Sequence, residues 1–399
     1  LYDVSVTDCD DGLVADDLDP RWGMVIANSR IAGSHRSVAN YTEGVIKMTG
    51  VELSGDTAGE VILQPGKEAL PSIDYRRTAP KPHCAFYPLA ADRTGKTDIH
   101  LSLQAALDQA GATGGVVYLP AGLYRLDHPV VVPAGVELRG CSSVATREQG
   151  GNSSGTLILA YDGQTSQPDT ATALVTLAGE RAGVRGLRFL YPENSAVTPG
   201  RLGTCLPYAY TIRGKAEGVY AVNIGLSGAY NGIDFRGCNH HFIKKLVCCC
   251  YANAIAAGDC SGGWIEGCLQ NGNMLYRDGV TFPGWPLNEA NIQEEVMNAV
   301  TRKYTEFIRL ENAQGQTVYN TFAYGVKSLV VTADSTDVLI ANVGADNIGS
   351  GSPLLNTTGG SVTAINVMRY NGISYKNSGT QLKMYSRLTI GDKDEPAVS

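Results

Sequence analysis

The sequence has no basic tract and no cluster of lysine and arginine interleaved with aromatics, and its net charge is −7 over 399 residues. Tight binding to a polyanion needs dense cationic surface that displaces counterions, so nucleic acid is not an expected partner. No apolar run is long enough for a membrane-spanning helix, and no membrane span is expected. Cys-x-x-Cys pairs and His/Cys ligand spacings are missing as well. The ten cysteines therefore point to no metal, and no cofactor is expected. Three cysteines are consecutive, Cys248 to Cys250. Neighbours on a strand point to opposite faces, which suits small buried apolar residues better than three disulfides. Cys238 and Cys260 read the same way. The chain begins at Leu1 with no leader ahead of it. The expectation is a processed or partial chain of a secreted or periplasmic protein.

Helical apolar periodicity is scarce, glycine is abundant at 47 residues, and turn residues are scattered throughout, which favours many short strands. Residues 1–63 hold short strand-like runs, residues 64–90 carry five prolines and read as a linker, and residues 91–399 read as the main domain. One helix is expected just before the strands. Leu101, Leu103, Ala106, Leu107 and Ala110 fall largely on one helical face, and Gly111, Gly114 and Gly115 stop it. A period then emerges. Ile212, Ile233 and Ile255 are 21 and 22 residues apart; Tyr220, Ile243 and Ile265 are 23 and 22 apart; Ile224, Val247 and Leu269 follow in the same register. Repeats of this length built from strands predict stacked coils, each unable to bury its apolar face alone, with equivalent residues about 4.8 Å apart. The fold class is all-β, a parallel β-solenoid. Cys238 over Cys260 is then an inward ladder. Residues 276–304 interrupt the rhythm and read as an inserted loop and helix.

The run TDIHLSLQAALDQAGATGGVVYLPAGLYRL at 97–126, followed by PVVVPAGVELRG, resembles the entry to the pectate-lyase-like (pectin-lyase-fold) superfamily. The resemblance spans roughly residues 90–375. It implies a right-handed parallel β-helix with an N-terminal capping helix. RGLRFLYPEN at 185–194, YTIRG at 210–214 and GIDF at 232–235 are similar to the glycosyl hydrolase 28-related group. The polygalacturonase signatures NTD, GHG and RIK are missing, which argues against a pectin substrate. Residues 1–63 resemble trailing coils of a preceding β-helix, as in family 55 exo-glucanases. The superfamily holds glycoside hydrolases, polysaccharide lyases, epimerases, fructotransferases and phage tailspikes, so the resemblance implies a carbohydrate partner.

Four carboxylates are candidate catalysts: Glu193, Asp234, Glu266 and Asp259. Asp234 and Glu266 face outward in the predicted register, with Arg213 and Lys244 one coil back. Each pair is also readable as a cross-strand ion pair. A cleft rich in tyrosine and asparagine suits sugars through ring stacking and hydrogen bonds. Tyr230, Tyr251, Asn271, Asn273 and Tyr276 are placed in it, joined by Arg277, Asp278 and Trp285 from the insertion. An asparagine ladder with tyrosines covering the coil edge is the structural alternative. Of His240 and His241, one is expected inward and one exposed. Three functions stay open: a glycoside hydrolase; a lyase with Lys244 as base and Arg213 or Arg277 neutralising a uronate; and a non-catalytic glycan-binding or spike protein, as a homodimer or homotrimer. The third gains if Asp234 and Glu266 are only ion-paired to Arg213 and Lys244.

Overall fold

The computed structural model describes residues 1–17, 23–64, 71–142, 155–194, 205–272, 274–277, 296–370 and 373–390. The chain forms two compact units, Leu1–Arg77 and Thr78–Ser399. The first holds two all-parallel sheets. Arg30–Asn40 pairs with Ser5–Val6, Asp11–Ala15 and Glu52–Ala58, while Ile46–Thr49 pairs with Met24–Ala27 and Val61–Gln64. Met24 opposes Ile46 and Arg30 opposes Glu52, so here too one rung follows another after 22 residues. Ile26, Ile31, Val38, Ile46 and Met48 form its core.

The second unit is a larger solenoid. One sheet has nine strands and another fifteen, with every strand pair parallel. The strand Tyr220–Ala229 shows how a coil is built. Residues 220–222 lie on one face and Asn223 turns the chain at φ 59°. Residues 224–229 form a second face, and Asn231–Asp234 a third. Gly186, Asn223, Lys245, Gly267, Asn320, Asn342 and Asn366 all have positive φ and follow one another in adjacent rungs. The bend requires the left-handed region, which penalises residues with a Cβ unless a short polar side chain hydrogen-bonds locally. Asparagine and glycine occupy six of these seven places. Asn366 Nδ2 donates to Asn342 Oδ1 at 2.9 Å, linking two bends. We expect Asn342→Val to lower stability by about 1–2 kcal/mol, because a β-branched residue must hold this bend. A urea melt with an unchanged midpoint would remove the bend as a stability determinant.

Inward residues stack. Ile212, Ile233, Ile255, Ile308, Val330 and Leu355 form one column, and Ala221, Ile243, Ile265, Val318 and Ile340 another. All are buried in the main core. The expected register is off by one at two points. Tyr220 opposes Phe242 and Trp264, and Ala221 opposes Ile243; Ile224 opposes Leu246, and Gly225 opposes Val247. The left-handed bend resets the alternation there, so apolar residues three apart share the inside. Cys238 and Cys260 lie in the core with Cys248 and Cys250. Cys249 points the other way, into a second apolar cluster with Leu157, Leu159 and Leu190. Leu275, just before the insertion, and Val296 and Val300, near its end, complete that cluster. All ten cysteines are free thiols.

The helix is His100–Gly111, with Leu103, Leu107 and Ala110 buried. Leu101, placed on the apolar face by its spacing, is instead 78% exposed. Gln104 pairs its side-chain amide with the backbone of Val131 on the edge strand Val130–Val132: Nε2 donates to the carbonyl at 3.1 Å, and Oε1 accepts from the N–H at 2.8 Å. The helix thus satisfies polar groups that an open strand edge leaves unpaired.

Candidate functional site

The outer surface of the nine-stranded sheet carries a gap. On three successive rungs Asp234, Ala256 and Arg309 share one outward column. Two residues further along, Gly258 opposes Glu311. Arg236 lies on the other side of Gly258, its Cγ 3.5 Å from where a Cβ would be. The middle rung, in AIAAG at 254–258, therefore has almost no outward side chain. The rungs on either side carry Asp234 with Arg236 and Arg309 with Glu311. The walls stand two rungs, about 10 Å, apart. The result is a cavity of about 320 Å³ lined also by Pro168, Asp169, Tyr210, Tyr230, Asn231 and Asn253. That size lies at the small end of ligand pockets and fits one ring-sized group. A Cβ on Gly258 would stand 2.6 Å from the Glu311 carbonyl oxygen, so close stacking also fixes glycine here.

Guanidinium groups hold the first wall. Asp234 accepts from Arg213 Nε at 2.8 Å and from Arg236 Nε and Nη2, each at 2.8 Å. Burial alone pushes its carboxyl up, but the hydrogen bond and charge of Arg236, with Arg213, outweigh this and hold it below the usual carboxylate range. Arg236 also grips Asp169 with both terminal nitrogens, at 2.9 and 3.1 Å. Arg213 donates to the Ala171 carbonyl at 2.6 Å and the Asp169 carbonyl at 2.5 Å, pinning that loop over the sheet. The Tyr210 ring lies against both guanidiniums, 5.3 and 5.5 Å from centroid to Cζ. Burial, then the charge of Asp234, raises its phenol. On the second wall, Arg309 Nε donates to Glu311 at 2.9 Å and Nη1 to Glu306 at 2.7 Å. Lys327 also reaches Glu306 at 2.7 Å.

The expected site residues separate. Arg213 and Asp234 sit at the first wall as a buried ion pair, and Tyr230 lines the cavity. Glu266 lies on a different face. It accepts from Lys244 at 2.8 Å and Trp264 Nε1 at 2.9 Å, so the cross-strand ion pair forms here. Asp259 is an exposed turn residue with φ 47°, contacted by Asn312 Nδ2 at 3.3 Å. Glu193 is exposed beside Tyr161 and Tyr208, away from the slot. Tyr251, expected to touch substrate, is buried under the insertion, and burial raises its phenol far above normal. Asn271 ends its strand opposite Tyr324, outside the slot. Tyr276 and Arg277 close a short helix, Met274–Arg277. Asn273, Asp278 and Trp285 lie outside the described residues. At the cavity, the backbone N–H of Asn253 donates to Asn231 Oδ1 at 3.2 Å, and the stacked asparagine pair Asn342 and Asn366 lies at the other bend. His241 is buried with Nδ1 2.9 Å from the Cys238 carbonyl, and His240 is exposed.

Reading the sequence missed Asp169, Arg236, Arg309 and Glu311. For the last three the signal was there in IDFRG, IAAGD and IRLEN, once Ile308 is stacked on Ile255; Asp169 comes from a loop outside the period. The insertion between those rungs hides the period.

Residues 89–178 match the family model described as rhamnogalacturonase A/epimerase, pectate lyase-like. No curated protein sequence matches the chain. A mutant of DFA-IIIase from Arthrobacter chlorophenolicus A6, in complex with DFA-III, is similar at TM-score 0.50 and 11% identity, over 75% of this chain and 84% of that one. ORF18 of Geobacillus virus E2 aligns at TM-score 0.49 and 11% identity, over 77% of this chain and 62% of its own. The Dettilon tailspike protein aligns at TM-score 0.48 and 14% identity, over 76% and 62%. The chain thus spans less than two thirds of the length of these last two proteins. Stacked parallel coils make the chain a parallel β-helix, and its first coils, residues 89–178, match the pectate-lyase-like family model.

Proposed function

We propose that the chain is a glycoside hydrolase that takes one ring of a polysaccharide or oligosaccharide into the Ala256–Gly258 slot. One observation carries this reading: a rung almost without side chains lies between two charged walls, with the carboxylates of Asp169 and Glu311 on opposite sides of the cavity. Tyr230 and Asn253, the partly exposed tyrosine and asparagine of the lining, offer a stacking surface and donors and acceptors for hydroxyls. Glu311, held by Arg309, suits the base that takes a proton from water. Asp169, once released from Arg236 and protonated from solvent, suits the acid that gives that proton to the leaving oxygen as the glycosidic bond breaks. Its side chain is 60% exposed, and Arg236 keeps Asp234 when Asp169 lets go. Releasing it costs about 0–1 kcal/mol, the worth of an exposed pair. Walls about two rungs apart approach the ~6.5–9.5 Å separation of inverting enzymes more closely than the ~5 Å of retaining ones.

A second reading, non-catalytic glycan binding, is favoured by a different observation. Asp169, Asp234, Glu306 and Glu311 are each paired to a cation. A screen against neutral and uronate-containing polysaccharides separates the readings. Reducing ends without ultraviolet-absorbing products support hydrolysis. Absorbing products mean a lyase. Binding without either favours the binding protein.

Both slot readings predict that Ala256→Leu weakens glycan binding by at least ~10-fold while the chain still folds. Undiminished binding by the folded variant would move the site elsewhere.

A further inference from the structure

We propose that Asp98, His100 and His128 form a binding site for a zinc-class divalent metal ion, separate from the slot. Their ligand atoms all lie within 4.8 Å of one another. Three elements bring them together. Asp98 ends the strand Thr94–Asp98, His100 opens the helix, and His128 follows the strand Gly122–Leu126. None of the three lines the slot.

The carboxylate is already oriented. Asp98 Oδ1 accepts from the N–H of His100 at 3.0 Å and of Asp127 at 3.2 Å, while Oδ2 faces His128 Nδ1 at 2.9 Å. Backbone donors fix one oxygen, as outer-shell partners do at metal sites, and a bound ion would displace the proton that the other shares with His128 Nδ1. The imidazole rings stand 4.9 Å apart, tilted by 36°. Two ligand atoms each ~2.1 Å from one ion lie ~3–3.5 Å apart, so a small contraction completes the set. Two imidazoles and one carboxylate suit zinc, cobalt or nickel; calcium and magnesium want six or more oxygens.

The positive end of the helix opposes a cation there, with about half a charge. Asp98, Asp127 and Asp162 surround His128, and Arg125 is held by Asp127 at 2.7 Å. Three carboxylates against one guanidinium outweigh the helix end. Bound metal would fasten the strand Thr94–Asp98, the helix and the turn after Leu126 to one another.

The test uses the full chain with Co²⁺ alone, then Zn²⁺ in competition. One equivalent of Co²⁺ with visible absorption and no thiolate charge-transfer band, displaced by Zn²⁺, is the expected result. Asp98→Asn keeps the Oδ1 acceptor, so it keeps the backbone contacts while losing the anionic ligand. It and His128→Gln should each weaken binding at least ~10-fold. The rise in melting temperature with Zn²⁺ should disappear in both. A thiolate band, unchanged affinity in the folded Asp98→Asn chain, or equal binding of Ca²⁺ would each overturn the site.

Discussion

Glu311→Gln is expected to lower the release of reducing ends by about 10²–10⁴-fold, the usual contribution of a general base. The amide keeps the shape and an acceptor for Arg309, whose Nε donates to Glu311 at 2.9 Å, so the wall should survive. Glycan binding should therefore hold within a few-fold, which separates loss of chemistry from loss of the slot. Asp169→Asn should fall as far, and the double variant little further, because the acid and the base act in one event. If Glu311→Gln cleaves at the wild-type rate, the slot is not where the bond breaks.

Asp234→Ala is expected to destabilise the second unit by about 3–5 kcal/mol, read as a lower midpoint in a chemical melt. The Asp234 side chain is 5% exposed, and Arg213, at 14%, shares its Oδ2 with Arg236. Removing the carboxylate leaves two guanidiniums near Tyr210 without their anion, which is why the effect should exceed that of an exposed pair. Arg213→Ala should be strongly non-additive with it. The pH dependence has a definite sign. The folded carboxyl is held below its unfolded value, so its stabilisation is present above the ordinary carboxylate range near 3.8 and is lost as pH falls through the lower, folded value. The variant should therefore show a shallower acid limb. An Asp234→Ala chain as stable as the parent would mean that the arginines hold the loop at Asp169 without it.

The two experiments give Asp234 and Glu311 different roles, and the sequence alone does not separate them. Period and composition reveal the solenoid because inward positions must be apolar in every coil: Ile212, Ile233 and Ile255 declare themselves. Outward positions face no such demand, so the chemistry written there has no period. Asp234 with Arg213 and Glu266 with Lys244 are legible as pairs because they occupy adjacent, evenly spaced rungs. The slot is not legible that way. It depends on a rung after the insertion, on Asp169 from a loop, and on the absence of side chains at Ala256 and Gly258. Glycine and alanine attract no notice until their neighbours are known. Tyr251 misleads for a related reason: its turn position suggests exposure, but it is buried in a cluster with Leu275, Val296 and Val300.

The strict division of each rung has a consequence for how such a protein changes over generations. Ile255 and Ala256 are consecutive, yet one belongs to the solenoid interior and the other to the outer face that lines the cavity. Mutation can drift through the outward letters of a single rung, widening, narrowing or recharging the slot, while the inward letters keep the stack intact. Recognition and architecture are thus inherited almost independently, residue by residue, along the same few strands. Reshaping this cavity needs only a handful of alternate codons, not a new fold.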